Sequence, residues 1–139
     1  MFAQIEADLG HFDLDLFADR EGRVALAKQW CCPESSAFMA EIHGIKCWAH
    51  PPRALITNFL AFVADAREKG AVNVALLIPC DAGAPWFRPE ALSQWKRRQV
   101  WPAGSDLFRL AEDDGNVAGD WRWRKLPKTT VPYVVLTTW

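Results

Sequence analysis

The chain has 139 residues, half of them apolar and 24% charged, with a net charge of −1. That length encloses a core and that composition is globular, which excludes a disordered chain and a small disulfide scaffold. No apolar run approaches the roughly 20 residues that span a bilayer, and residues 1–10 carry two acids and no base, so no secretory signal is expected and the chain is read as intracellular.

Residues 12–17 alternate Phe, Asp, Leu, Asp, Leu, Phe, which predicts a short strand with acids at its end. Residues 19–30 predict a short helix, capped or interrupted near Gly22, and 31–44 read as loop with a short element around 36–41. Residues 45–49 form an apolar run that ends at His50, Pro51, Pro52 and Arg53. The helix predicted over 55–69 puts Ile56, Phe59, Leu60, Val63 and Ala66 on one face, and Gly70 is expected to stop it in the left-handed conformation. Residues 72–78 are almost continuously apolar, as in a strand covered on both faces. Strand, amphipathic helix and buried strand make a βαβ crossover, which implies a parallel pair. Ligands of such sheets bind beyond the carboxyl ends of the strands, here near 17–19, 50–53 and 79–84.

Residues 86–98 predict a second amphipathic helix with Pro89 in its first turn. Val100 and Trp101 open a strand or edge segment. Asp113-Asp114-Gly115-Asn116 is a turn between 107–110 and 121–123 and reads as a hairpin. Residues 131–139 form a last strand, with Pro132 placing its start at a sheet margin. The expected whole is one α/β domain over residues 1–139, with a mainly parallel central sheet flanked by helices and an antiparallel C-terminal hairpin.

The four cysteines show no C-x-x-C spacing; they read as buried or half-buried thiols, and no metal site is expected. His11 and His43 read as surface or capping residues. The charge is uneven: residues 1–87 carry seven basic and eleven acidic side chains, residues 88–128 nine and six, which points to an anionic partner on the later part. Two stretches interleave tryptophan with bases, Trp95-Lys96-Arg97-Arg98-Gln99-Val100-Trp101 and Trp121-Arg122-Trp123-Arg124-Lys125. Cations of this kind release counterions from phosphates, and indoles stack on unpaired bases. In the second stretch, inward packing of Trp121 and Trp123 is favoured. Lys96, Arg97 and Arg98, expected on the later helix, are the better phosphate contacts and, with Arg53, the candidate nucleic-acid surface.

The run Gly10-His11-Phe12-Asp13-Leu14-Asp15-Leu16-Phe17-Ala18, then Trp48-Ala49-His50-Pro51-Pro52, then Ala75-Leu76-Leu77-Ile78-Pro79 with Trp86-Phe87 after a short loop, resembles the phage-type DNA adenine methyltransferases. It looks closest to the copies found beside reverse transcriptases in tyrosine-recombinase retroelements, so neighbouring domains of a polyprotein are among the expected partners. The resemblance covers roughly residues 2–101. It implies a Rossmann-like fold that binds S-adenosylmethionine and methylates the exocyclic amine of adenine. It places Asp15, Phe17 and Asp19 toward the cofactor, where Asp15 and Asp19 would meet an amino group or a ribose; Asp19 serves equally well as a cap.

The same resemblance makes His50-Pro51-Pro52-Arg53 the catalytic loop, which in the family reads Asp or Asn, Pro, Pro, then Tyr or Phe. There the first residue and the first Pro carbonyl accept hydrogen bonds from the amine, and the aromatic ring stacks on the flipped base. Here His50 stands at the acceptor position and Arg53 at the aromatic one. Only a neutral His50 can accept a hydrogen bond. Losing one well-placed acceptor costs on the order of 3 kcal/mol in the barrier, about a hundredfold in rate. Three readings stay open: a degenerate module that still binds nucleic acid, a working methyltransferase with an altered loop, and an interaction domain that uses the fold.

Overall fold

The computed structural model describes residues 2–23, 25–33, 36–105, 107, 109–113, 121–125 and 128–139, with the backbone alone for residue 2 and for 109–113 and 121–125. In chain order its elements are α1 (Phe2–Leu9), β1 (Leu14–Asp15), β2 (Gln29–Trp30), β3 (Lys46–Ala49), α2 (Ile56–Lys69), β4 (Asn73–Pro79), α3 (Pro89–Leu92), β5 (Lys96–Trp101), β6 (Arg109–Asp113), β7 (Trp121–Lys125) and β8 (Tyr133–Thr137). Two 3-10 turns, Ala37–Met39 and Arg53–Leu55, complete them.

Six strands form one mixed sheet in the order β2-β1-β3-β4-β8-β5. The pairs β1–β2, β1–β3 and β3–β4 are parallel, whereas β8 runs antiparallel to both β4 and β5. Five strands therefore share one direction, and β8 alone opposes them. The strands foreseen at 12–17, 45–49 and 72–78 are neighbours in this sheet, and α2 connects the last two as the apolar spacing requires.

Alternation along β4 explains its unbroken apolarity. Val74, Leu76 and Ile78 join Phe59 and Val63 of α2 on one face, while Ala75 and Leu77 join Ile5 of α1 and Trp48 on the other. Both faces are covered, so neither set of side chains can be polar. The helix face foreseen on α2 is the buried one, with Ile56, Phe59, Leu60, Val63 and Ala66 all inside. Burying each of the four larger ones stabilises the fold by about 1.5–3 kcal/mol.

Several expectations are corrected. Among the described residues of 19–30 there is no helix: the Asp15 carboxylate accepts from the Leu26 N–H at 2.9 Å, Gly22 sits at φ +69°, and Gln29–Trp30 become an edge strand. A side chain that captures a backbone donor competes with the helix for it. The helix expected over 86–98 lasts one turn, Pro89–Leu92, and Lys96, Arg97 and Arg98 lie on β5 instead. The reason is nonlocal. Val134, Val135, Leu136 and Thr137 of β8 are buried, so their backbone groups need partners on both sides, and β4 supplies only one. Gly70 has φ 162°, which is extended rather than left-handed. Strand β8 lies inside the sheet rather than at its margin; Pro132 stands just before it and its carbonyl accepts from the Cys80 N–H at 2.7 Å.

The hairpin foreseen around residue 113 is present as the antiparallel pair β6–β7, while its turn at 114–116 lies outside the described residues. The inward packing foreseen for Trp121 and Trp123 likewise falls outside what is described. Helix α1 had not been foreseen. Cys31 and Cys47 are buried, Cys32 and Cys80 half-buried, and all four are free thiols. Among the described residues no helix is long and apolar enough to cross a membrane.

Candidate functional site

Parallel strands end together, and the segments leaving β1 and β3 enclose a pocket of about 320 Å³. Leu16, Phe17 and Ala18 wall it after β1, His50 and Pro52 after β3, and Phe38 closes it from the 3-10 turn. Phe17, Phe38 and Phe59 meet edge to face at centroid distances of 5.2–6.4 Å, which fixes the apolar side of the pocket. Small-molecule sites occupy roughly 300–1,000 Å³ and are mostly apolar, so one nucleoside-sized ligand fits.

Of the three residues placed toward a cofactor, Phe17 lines this pocket and Asp15 and Asp19 do not. Asp15 is 2% exposed, and its two oxygens accept from the Phe17 and Leu26 N–H groups at 3.1 and 2.9 Å. Burial raises its pKa, and those two hydrogen bonds pull it back. In this arrangement Asp15 shapes the pocket wall by fixing the loop that follows β1. Asp19 lies near Arg23, with 3.5 Å between carboxylate and guanidinium.

The loop after β3 brings His50 and Arg53 against Tyr133, Asp81 and Trp86. Pro51 is buried and Pro52 exposed, which leaves His50 half-buried at the pocket rim. The His50 ring stands edge to face with Tyr133, centroids 6.4 Å apart at 78°. Burial pushes the His50 pKa down to about 4, so the imidazole is neutral at physiological pH and keeps one lone pair to accept a hydrogen bond. The Arg53 guanidinium donates to Asp81 at 2.6 Å and lies 6.0 Å from the centroid of the Trp86 ring. That contact, with a second from the Gly83 N–H, holds the Asp81 carboxyl below its usual range.

The basic triplet is elsewhere. Register pairs Lys96 with Thr137, which pairs with Ala75, which pairs with Trp48, so Lys96 lies level with the middle of the parallel strands. Trp101, at the other end of β5, pairs with Tyr133 and so lies level with Pro79 and the site. Arg98 donates to Thr137 Oγ1 at 2.8 Å and to the Trp139 carbonyl, whereas Arg97 acts electrostatically on Cys80, which packs on the α2 side. The backbones of Arg53 and the triplet are thus separated by two intervening strands and by most of the length of β5, although the Arg97 charge reaches Cys80 beside Asp81, and the triplet alternates between faces.

Asp81, Trp86 and Tyr133 stand around the candidate site; the sequence marked Trp86 only as part of the family resemblance and singled out neither of the others. Asp81 falls in the strand-end segment 79–84, which marked its neighbourhood. Tyr133 is the chain's one tyrosine, and nothing local to it signals that β8 returns to the middle of the sheet. Among the described residues, no three His, Cys, Asp or Glu side chains gather as a metal site. A search of the curated proteins finds no match to this chain. The family comparison matches residues 1–99, from α1 through the strand-end pocket and the His50 loop into β5, and by that match the chain belongs to the DNA N-6-adenine-methyltransferase (Dam) family.

Proposed function

We propose that the chain is a degenerate DNA adenine-methyltransferase-like module, nucleic-acid-associated, with little or no methyl transfer. The sheet supports the Rossmann-like reading of its fold: strands of one direction carry the pocket at their carboxyl ends, with a single reversed strand beside them. The pocket suits S-adenosylmethionine in size and in its apolar walls, with Phe17 and Phe38 able to flank a purine. When bound there, that cofactor supplies the methyl group.

The observation that carries the proposal is Arg53. At the position where the family's loop offers an aromatic ring, this chain has a guanidinium that is paired with Asp81 and set near Trp86, itself only 5% exposed. Neither group presents the loop's aromatic face to a base. Positive charge beside the target amine also opposes the rise in electron density that the amine needs as a nucleophile. His50 and the Pro51 carbonyl can each accept one hydrogen bond, so binding of the amine survives better than its activation.

An active enzyme remains the second reading, and the neutral imidazole of His50 is what favours it. Radiolabelled S-adenosylmethionine, offered with duplex and single-stranded DNA containing adenine, separates the two. Label transfer is expected to be absent or at least about a hundredfold below that of the His50→Asp, Arg53→Tyr double variant, since that is what one well-placed acceptor is worth. Robust transfer by the native chain, abolished by His50→Ala, would establish histidine as a working acceptor.

A further inference from the structure

The geometry points to Tyr133 as the base-stacking residue of this site, supplying from β8 the aromatic face that the His50-Pro51-Pro52-Arg53 loop lacks. The inference rests on the nucleic-acid reading above and names the group that receives the base. An unpaired adenine needs a flat, partly exposed ring beside the acceptors of its amine. Arg53 is engaged by Asp81, and Trp86 is too deeply buried to serve. Tyr133 is half-buried and stands 6.4 Å from the His50 ring.

Its position is set by structure on three sides. The Cys80 N–H donates to the Pro132 carbonyl at 2.7 Å, which ties the start of β8 to the end of β4. Register puts Tyr133 opposite Pro79 on one side and Trp101 on the other, at the carboxyl edge of the sheet. Tyr133 and Trp101 both pack against the apolar cluster that holds Val135 and Leu77, so the ring rests on buried neighbours. Tyr133 does not line the pocket assigned to the cofactor, which leaves the two ligands separate walls with His50 between them. The family match ends at residue 99, so this contribution comes from a part of the chain beyond it.

The test uses a single-stranded deoxyadenosine oligonucleotide carrying one 2-aminopurine, whose fluorescence falls when it stacks. Tyr133→Leu keeps apolar bulk under the site and removes the ring; Tyr133→Phe keeps the ring and removes the hydroxyl. Tyr133→Leu is expected to lose the quench and to weaken binding at least about fivefold, the low end of one base–aromatic stack. Tyr133→Phe is expected to retain both, and all three proteins should bind S-adenosylhomocysteine alike. Equal quench and affinity in the Leu variant would overturn the role of Tyr133 and leave the proposed function standing. A native chain that binds no oligonucleotide at low salt would overturn both.

Discussion

At the scale of single residues, His50, the acceptor position of the proposed site, carries a measurable signature. Its folded pKa is depressed to about 4 by burial, while the unfolded ring titrates near 6.5. As pH falls below 6.5 the unfolded chain takes up a proton that the native ring refuses. Stability from this group is therefore complete above pH 6.5 and is lost progressively toward pH 4. The shift is worth at most about 3 kcal/mol, and less because the ring is only half-buried. His43 acts in the opposite sense. Its bonds to the Ala66 carbonyl and Glu41 raise its pKa, so its contribution is present below the unfolded value and lost as pH rises. Comparing the native chain with His50→Gln isolates His50 from that background. Urea unfolding at several values from pH 7 down to 4.5 should give a shallower pH dependence in the variant. Identical dependences would mean that the native ring takes up its proton as readily as the unfolded one.

At the scale of elements, the question is what the basic run on β5 does. A helix would have displayed Lys96, Arg97 and Arg98 within one turn of one another, whereas the strand alternates them and ties Arg98 to the end of β8. Edge strands also use charged side chains to discourage pairing with other chains, and β5 is one of the two edges of this sheet. A nucleic-acid strand following one face would meet one or two of the three cations. Each neutralised phosphate adds about −0.7 to the salt slope for single strands, so changing all three to alanine should flatten it by roughly 0.7–1.4. Fluorescence titrations at several salt concentrations resolve that difference, and an unchanged slope would assign the run to edge protection. The βαβ unit from β3 to β4 was legible because its information is local: a five-residue apolar face on α2 and an apolar run covered on both sides. Residues 86–98 misled because Leu92 and Trp95 have helical spacing while the deciding partner, β8, lies far along the chain. Residues 19–30 misled for a related reason, since the Asp15 carboxylate that captures the Leu26 N–H comes from outside the segment.

At the scale of the molecule, the strand ends marked the site before its residues could be ranked. Topology placed a pocket beyond the ends of β1, β3 and β4; the pocket lies beyond the first two, with none of residues 79–84 on its wall, and the placing of Phe17, Asp15 and Tyr133 depends on packing that no local pattern encodes. That pocket joins segments distant in sequence: residues 16–18, then 32, 33 and 36–38, then 50, 52 and 55 line it. A ligand bound across them links those segments in the native state and nothing in the unfolded one, so it must stabilise the fold by mass action. At a hundredfold excess over its dissociation constant the gain is about 2.7 kcal/mol. For a domain of this size that corresponds to a rise in Tm of roughly 8–10 °C. S-adenosylhomocysteine is the right probe, because its stabilisation requires no turnover and survives complete catalytic decay. Leu55, half-buried on the pocket wall at the start of α2, offers the control: Leu55→Trp fills the cavity from a position that tolerates a larger side chain better than the buried Ala18 or Ala37. The native chain should show a concentration-dependent rise in Tm, and the variant, folded by circular dichroism, should show little or none. If neither responds, the pocket does not take the cofactor. If both respond equally, the cofactor binds away from the strand ends.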